Sequence, residues 1–253
     1  MANLFDITRH LDKLLKTGEF VDQSQNGLQV ESKRKSVTKV SVAVDCGLSI
    51  IEEAVKQKSH LLIVHHGLFW NKPLYVVDAM SKKLSLLLQN GCSVYASHLP
   101  LDSNLKVGNA AQLARFLKLK KIESFCNYHS NFVGVKAQCQ KPLALKQIVD
   151  HCKKIPYSIE PILLPFGKKE IKNIGIVTGS GSFALQECAG ENLDLLVSGE
   201  AKQEAFHLAK ELKMNAVFAG HYATETFGVL ALAEEIKQRF NVRINFINQP
   251  TGI

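Results

Sequence analysis

Short apolar runs alternate along the chain with segments whose apolar residues recur at helical spacing. The first series predicts, in order, strand 37–44, helix 48–58, strand 61–64, helix 79–89, strand 93–97 and helix 107–117. The second series predicts strand 171–177, a helix from 183, strand 193–197, helix 201–212, strand 216–219, helix 224–240 and strand 242–247. Strands that alternate with helices predict an α/β fold with mostly parallel sheets flanked by helices.

The two series predict two similar α/β lobes, with approximate bounds 1–121 and 122–253. A helix at 4–15 precedes the first series. The segment between the series is less regular. It predicts a strand at 131–137, a helix at 143–154, and an edge strand or no strand at 159–164, where Pro161 interrupts the run. The likeness of the two series indicates a weak internal duplication, although any two such blocks can be aligned.

Polar residues stand at the carboxyl ends of the predicted strands, where open α/β sheets bind ligands. In the first series they are Asp45, His65-His66 and His98, and in the second they are Gly179, Glu200 and His221. His98 and His221 are each followed four residues later by a carboxylate, Asp102 or Glu225. We therefore expect the strand ends of both lobes to face a shared cleft.

The residue types at these ends suit a metal site. His65 and His66 would point to opposite faces of a continuing strand, but a turn at Gly67 could bring both to one cleft, where diverging rings suit two ions. His221 and Glu225 would share one face of a first helical turn. Asp102 follows Pro100, which predicts a loop carboxylate able to bridge two ions. Taken singly, these residues also fit a capped strand end, an acidic first helical turn and a turn residue.

The run Thr178-Gly179-Ser180-Gly181 leaves three readings open. A glycine-rich turn between a strand and a helix loosely fits a dinucleotide fingerprint, which would make the protein a nicotinamide-dependent dehydrogenase. It could also form a nest of backbone N–H groups for a substrate phosphate. The ordinary interpretation is a tight strand-to-helix turn.

Composition narrows the function classes. The net charge is +8, but the lysines are scattered and not interleaved with aromatics, so a nucleic-acid surface is not favoured. The six cysteines form no C-x-x-C pair and indicate neither a disulfide framework nor a zinc knuckle. The first residues do not resemble a signal peptide, and no apolar stretch is long enough to span a membrane. We expect a cytoplasmic protein.

Five motifs in this order resemble the NIF-three-like dinuclear-metal family in its short bacterial form, whose members are commonly labelled GTP cyclohydrolase 1 type 2 homologs. They are Asn26-Gly27-Leu28-Gln29-Val30, Val64-His65-His66-Gly67-Leu68-Phe69-Trp70, His98-Leu99-Pro100-Leu101-Asp102, Ser198-Gly199-Glu200 and Gly220-His221-Tyr222-Ala223-Thr224-Glu225. The resemblance spans residues 4 to 250. It implies two lobes with a two-metal cleft between them and a toroidal homohexamer.

The resemblance also assigns residues. His65 and His66 match the family's histidine pair, Asp102 its bridging carboxylate, and His221 with Glu225 its C-terminal pair. His98, Glu200 and Thr224 fall in family motifs and are expected to support the ligands or contact substrate. The implied cofactors are two divalent ions per subunit, of which Zn, Fe, Mn or Ni would suit imidazole and carboxylate ligands.

Two functions follow from these residues. The first is a metal-dependent hydrolase of a nucleotide-like small molecule, of the cyclohydrolase or phosphoesterase type. The alternative is a non-catalytic protein that holds or delivers metal or builds a regulatory assembly. An open coordination position with acid–base groups nearby would favour the enzyme, whereas readily exchanged metal would favour the carrier.

Overall fold

The structure of the protein, a computed structural model, describes residues 2–252 and divides into two compact units. The first comprises the residues up to Leu101 together with Val229–Gln249. The second comprises Asp102–Gly228 and the residues from Pro250. The predicted lobes divide at 121/122 instead. The difference arises because the helix at 109–116 packs into the core of the second unit, while the last strand pairs with a strand of the first.

The first unit is built on a five-stranded sheet. The strands of the whole first unit are β1 (Ala2–Asn3), β2 (Gly27–Val30), β3 (Ser36–Val37), β4 (Lys39–Asp45), β5 (Leu61–His66), β6 (Ser93–Ala96) and β13 (Arg243–Phe246). Its helices are α1 (Leu4–Leu15), α2 (Leu48–Lys56) and α3 (Asp78–Gln89). The sheet order is β13-β4-β5-β6-β2, in which only β2 runs antiparallel to its neighbour, and β1 pairs with β3 separately.

Strand β5 is the centre of the first unit. Its residues 61–64 are fully buried, as expected for a parallel strand covered on both faces. Ile50 and Ile51 of α2 pack in the same core cluster as Leu62 and Val64. The helices that connect β4, β5 and β6 thus cover the sheet and leave the carboxyl ends of the strands to polar side chains.

Two local predictions around the expected metal ligands are wrong. Strand β5 does not end before the histidine pair but continues through His65 and His66, because His66 pairs with Asp45 of β4 in parallel register. Asp102 does not lie in a loop but ends a short helix, α4 (Leu99–Asp102). Pro100 is compatible with that helix because its missing N–H falls in the first turn, where it would have no intrahelical acceptor.

The second unit is built on a six-stranded mixed sheet. Its strands are β7 (Lys120–Tyr128), β8 (Asn131–Ala144), β9 (Ile162–Pro165), β10 (Glu170–Val177), β11 (Leu195–Ser198) and β12 (Asn215–Phe218). Its helices are α5 (Asn109–Phe116), α6 (Leu145–Cys152), α7 (Leu185–Gly190), α8 (Gln203–Glu211) and the first part of α9 (His221–Phe240). The order β7-β8-β10-β11-β12-β9 contains three consecutive parallel strands, β10 to β12, as the second series predicts.

The antiparallel part of this sheet contains more strand residues than the sequence predicted. A hairpin of β7 and β8 replaces the single expected strand at 131–137, and its two-residue turn, His129 and Ser130, has positive φ at both positions. Strand β7 escaped prediction because most of its positions before Phe125 are polar and exposed. Strand β9 is the edge strand anticipated as one alternative at 159–164, and it pairs antiparallel with β12.

Two expectations from composition can be compared with the structure. The six cysteines are buried as free thiols. Among residues 2–252, no helix is both long and apolar enough to cross a membrane.

Candidate metal centre

His65 is held at the end of β5 with one ring nitrogen committed. Its side chain is fully buried, and Nδ1 lies 2.9 Å from the backbone carbonyl oxygen of Ser97. A carbonyl oxygen can only accept a hydrogen bond, so Nδ1 must carry the hydrogen. In the neutral ring the lone pair is therefore on Nε2, the form in which histidine binds metal.

His66 is oriented by a carboxylate on the neighbouring strand. Its Nδ1 lies 2.8 Å from Asp45 Oδ1, and the two residues are register partners of β5 and β4. The sequence placed Asp45 at a strand end but gave it no role. Parallel pairing of two adjacent strands with polar ends was the signal that could have linked the residues.

His98 completes a group of three imidazoles in the first unit. One ring nitrogen of each of His65, His66 and His98 lies within 4.8 Å of the others. His98 Nδ1 lies 2.9 Å from Asp22 Oδ1, and Asp22 Oδ2 accepts the backbone N–H of Leu99. Burial would raise the pKa of Asp22, but hydrogen bonds and the charge of His98 outweigh it and lower the pKa to about 2. No sequence signal had marked Asp22.

In the second unit, His221 lies between two carboxylates. Helix α9 begins at this residue, so Glu225 is one turn further along, and His221 Nε2 lies 3.1 Å from Glu225 Oε2. His221 Nδ1 lies 2.9 Å from Glu200 Oε2. The other oxygen of Glu200 accepts a hydrogen bond from the hydroxyl of Ser180. The predicted pair is thus formed, and Glu200 is the residue that orients its histidine.

These contacts determine the charge of the pair when no metal is bound. Burial alone would lower the pKa of His221, but hydrogen bonds and the negative charges of Glu225 and Glu200 raise it to about 9. Burial would raise the pKa of Glu200, but the hydrogen bonds from Ser180 and His221 lower it instead. At neutral pH the metal-free site therefore holds an imidazolium ion between two carboxylates, in a position where a metal cation would replace the proton.

Asp102 is buried and fixed by two side chains of its own unit. Asn109 Nδ2 donates to Asp102 Oδ1 at 2.8 Å, and the hydroxyl of Thr178 donates to the same oxygen at 3.2 Å. Asn109 also accepts the backbone N–H of Gly228. Asp102 is thereby tied to the turn after β10 and to helix α9. No sequence signal marked Asn109, and Thr178 was named only as part of the glycine-rich turn.

Gly179 makes room for the Glu225 carboxylate. Its φ is +61°, and a Cβ atom there would overlap Glu225 Oε1 and lie 3.1 Å from His221 Nε2. Its backbone N–H donates to Thr224 Oγ1, and that of Gly181 donates to Ser198 Oγ. A phosphate nest or dinucleotide site is not favoured here, because these N–H groups already have acceptors and a carboxylate lies against the turn.

The hydroxyl group of Thr224 is used in hydrogen bonds to the backbone. Its side chain is fully buried, accepts the Gly179 N–H and can donate to the carbonyl oxygen of Gly220 or His221. It therefore fixes the turn against the start of α9, and its hydroxyl is not exposed for substrate. Glu200 contacts the ring of His221, as described above, and its expected role beside a ligand or a substrate stays a prediction.

The donor set fits divalent transition metals. The structure brings together three imidazoles in the first unit, and an imidazole with two carboxylates in the second. Each imidazole has its Nδ1 held by an oxygen atom, which is the usual outer contact of metal-binding histidines. Hard carboxylate and borderline imidazole ligands suit Zn, Fe, Mn and Ni rather than Ca.

Comparison with known proteins identifies the family of the chain. The sequence profile of Duf34/NIF3 (NGG1p interacting factor 3) matches residues 2–252. The chain belongs to this family. A protein of Pyrococcus horikoshii named GTP cyclohydrolase 1 type 2 homolog is 39% identical over 249 residues, with 98% of each chain covered. A protein of the same name from Deinococcus radiodurans is 35% identical, with 98% of this chain and 94% of that protein covered.

A solved relative has the same fold as this Duf34/NIF3 chain. The crystal structure of TTHA1606 from Thermus thermophilus superposes with a TM-score of 0.92 at 37% identity and covers 99% of this chain and 100% of its own. A structure described as protein ybgI, of unknown function, gives a TM-score of 0.91 at 26% identity and covers all of both chains. The family resemblance predicted from the five motifs is therefore confirmed.

Proposed function

We propose that the protein is a dinuclear-metal hydrolase of a nucleotide-like small molecule. Its metal ligands are His65 and His66 from β5, together with Asp102, His221 and Glu225. The substrate class is suggested by the name of the relatives, GTP cyclohydrolase 1 type 2 homolog.

One observation carries the assignment of the ligands. His65, His66 and His221 each have Nδ1 within 2.9 Å of an oxygen atom that can only accept a hydrogen bond. This arrangement fixes the ring and directs Nε2 as the ligand atom. His98 has the same contact with Asp22, so four imidazoles are oriented in this way, and three of them are assigned as ligands.

The two histidines of β5 are assigned to different ions. Their ring centroids are 4.7 Å apart and the ring planes are inclined by 46°, while Ser97 and Asp45 hold them from different sides. Two ions in such centres are typically about 3.5–4 Å apart, which suits two imidazoles that diverge. Asp102 would be a ligand of the centre in the role of the bridging carboxylate that the family resemblance implies.

Two bound divalent ions would supply a nucleophile from water near neutral pH and polarise the bond to be cleaved. The chain's own residues hold the ligand side chains in position and transfer protons. Asp45 and Glu200 hold His66 and His221, and Asn109 with Thr178 hold Asp102. His98, which Asp22 orients in the same manner, is assigned to exchange a proton with substrate or water.

The test has two independent parts. Elemental analysis of the purified protein should find two divalent ions per chain, and His66→Ala and His221→Ala should each lower that number. The loaded protein is then incubated with GTP and with nucleoside phosphoesters, and products are separated by chromatography. Protein without bound metal would exclude the centre. Stoichiometric metal with no turnover of any nucleotide would exclude the hydrolase and leave the metal-holding protein as the function.

We also propose that the protein works as a toroidal homohexamer, as the family resemblance implies, and that it works in the cytoplasm, as the sequence predicts. Three consecutive apolar side chains support self-association, since Tyr75, Val76 and Val77 are 84%, 55% and 57% exposed. Exposed apolar patches of this kind commonly lie in interfaces. Light scattering coupled to size exclusion should give six times the mass of 28.0 kDa, and a monomer would exclude the hexamer.

A further inference from the structure

An open pocket in the first unit lies beside the histidine group. It has a volume of about 510 Å³, within the usual range for small-molecule sites. Its apolar lining comes from Leu28, Phe69, Trp70 and Leu74. The polar lining comes from Gln25, Asn26, Gln29 and Lys72. None of these residues is among the proposed metal ligands.

Trp70 belongs both to the pocket and to the surroundings of the histidines. Its ring centroid lies 5.2 Å from that of His98, nearly edge-on, and 6.2 Å from that of His66. The indole N–H donates to the carbonyl oxygen of Gly67 at 3.1 Å, which fixes the ring. A ligand that contacts Trp70 in the pocket would thus be separated from His98 by the Trp70 ring.

The wall of the pocket is held together by hydrogen bonds between its own residues. Gln29 accepts the backbone N–H groups of Leu68 and Phe69 and donates to the carbonyl oxygens of Gln25 and Phe69. Backbone hydrogen bonds join Gln25 to Phe69, and a β-bridge joins Ser24 to Trp70. The wall is therefore formed before any ligand binds, which lowers the entropy cost of binding.

Most side-chain amide groups at the pocket form hydrogen bonds within its wall and are therefore not available to bind a ligand. Asn26 donates to Asp22 and accepts the backbone N–H of His98, and Gln29 has the four contacts just described. The lining residues whose side chains suit ligand recognition include the aromatic ring of Trp70 and the exposed ammonium group of Lys72. These groups select a flat ring that carries a negative charge, because aromatic faces favour stacking and an ammonium group favours an anion.

We propose that this pocket binds the ring of a purine nucleotide against Trp70, with its phosphate at Lys72. The proposal deepens the proposed function, because it names the part of the substrate that the protein recognises, and it rests on that function for the reaction but not for binding. Asp22 links the two regions. Its side chain holds the His98 ring and its carbonyl oxygen accepts the Asn71 side chain at 2.7 Å, next to Trp70.

The experiment uses the fact that Trp70 is the only tryptophan of the chain. The full protein is stripped of metal with a chelator, and its tryptophan emission is followed while guanosine monophosphate, guanosine or inorganic phosphate is added. Guanosine monophosphate should change the emission saturably, and inorganic phosphate should not. Guanosine should bind about tenfold more weakly, because it lacks the charge-assisted contact to Lys72. Calorimetry of the same titrations measures binding independently of the fluorescence.

Matched variants separate the two parts of the pocket. Lys72→Ala should remove the preference for guanosine monophosphate over guanosine, whereas Lys56→Ala, an exposed lysine of α2, should keep it. Trp70→Ala should weaken both ligands by roughly tenfold or more in calorimetry, which is the usual effect of losing an aromatic stacking partner. Absence of both heat and emission change up to about 1 mM, the upper end of common KM values, would overturn the proposal.

The outcomes distinguish this inference from the proposed function. Protein that binds two metal ions but no guanosine monophosphate retains the metal centre and loses the ring pocket. Protein that binds guanosine monophosphate with normal Lys72 dependence but holds no metal retains the pocket and loses the dinuclear hydrolase. Unchanged affinity in Trp70→Ala would place the nucleotide elsewhere on the chain and overturn the assignment of the pocket.

Discussion

His66 Nδ1 lies 2.8 Å from Asp45 Oδ1, and these two residues face each other in neighbouring parallel strands. The contact between an imidazole Nδ1 and a carboxylate recurs at His221 with Glu200 and at His98 with Asp22, although these pairs are not register partners. A carboxylate behind an imidazole fixes the ring, selects the Nε2 lone pair and makes the ring a stronger base. The candidate centre is therefore defined as much by these acids as by the ligands themselves.

Asp45→Asn should lower the affinity for metal without unfolding the protein. The substitution keeps the shape and an acceptor oxygen but removes the charge behind His66, which costs roughly tenfold in metal affinity at comparable sites. Competition with a chromophoric chelator measures the change. Glu52→Gln, which alters an exposed acid of α2, is the control and should leave affinity unchanged. Equal affinities in the two variants would show that Asp45 does not support a ligand.

Ser180→Ala should weaken metal binding through Glu200. The hydroxyl of Ser180 donates to Glu200, which holds His221, so its loss removes one contact that favours the ionised carboxylate. We expect about a three- to tenfold loss of affinity, since outer contacts of this kind are worth that much or more. Ser180→Thr retains a hydroxyl and should restore binding. If the alanine variant binds as tightly as the parent, Glu200 is held adequately without Ser180.

The sequence was sufficient for the parallel cores of both units. The apolar runs at β4, β5 and β10 to β12 are short and bounded by polar residues, so their positions follow from the local pattern of apolar and polar residues. The hairpin of β7 and β8 was only half predicted, because exposed charged residues at the start of β7 hide its pairing. Its stability depends on neighbouring strands that are distant in sequence.

The candidate ligands could be selected from the sequence, but most of the residues that contact them could not. His65 and His66 come directly after a buried apolar run, and His221 and Glu225 lie in a first helical turn, which are local signals. Asp22 precedes its partner His98 by 76 residues, and no local pattern connects them. Prediction of such pairs needs the sheet order and the register, which only the folded chain defines.

The metal-free protein should lose stability as the pH rises through 9. His221 has a folded pKa of about 9 against an ordinary value of 6.5, so its contribution is complete below 6.5 and disappears above 9. A shift of this size corresponds to on the order of 2 kcal/mol when coupling to its partners is considered. Urea unfolding of chelated protein between pH 6 and 10 measures the effect relative to His221→Gln. A parallel pH dependence in that variant would exclude His221 as its source.

The same proton predicts an effect of pH on metal binding. A cation at His221 must displace the proton that Glu225 and Glu200 stabilise, so binding at neutral pH should release about one proton per chain from this residue. Calorimetric titration with metal in buffers of different ionisation enthalpy counts the protons. In His221→Gln the count should fall by about one, and an identical count would mean that the metal does not displace this proton.

Gly179→Ala should disturb the centre from the backbone side. The new Cβ would overlap Glu225 Oε1, and φ at this position is +61°, a conformation that alanine adopts only under strain. We expect a loss of roughly 1–3 kcal/mol in the free energy of unfolding, together with lower metal content. Gly190→Ala is the matched control, because a Cβ there meets nothing within 4 Å and its φ is not positive. It should leave metal content unchanged. A Gly179→Ala protein with full metal content would mean that Glu225 can move away from the turn and still bind metal, and the close contact would then have no part in holding the ligand.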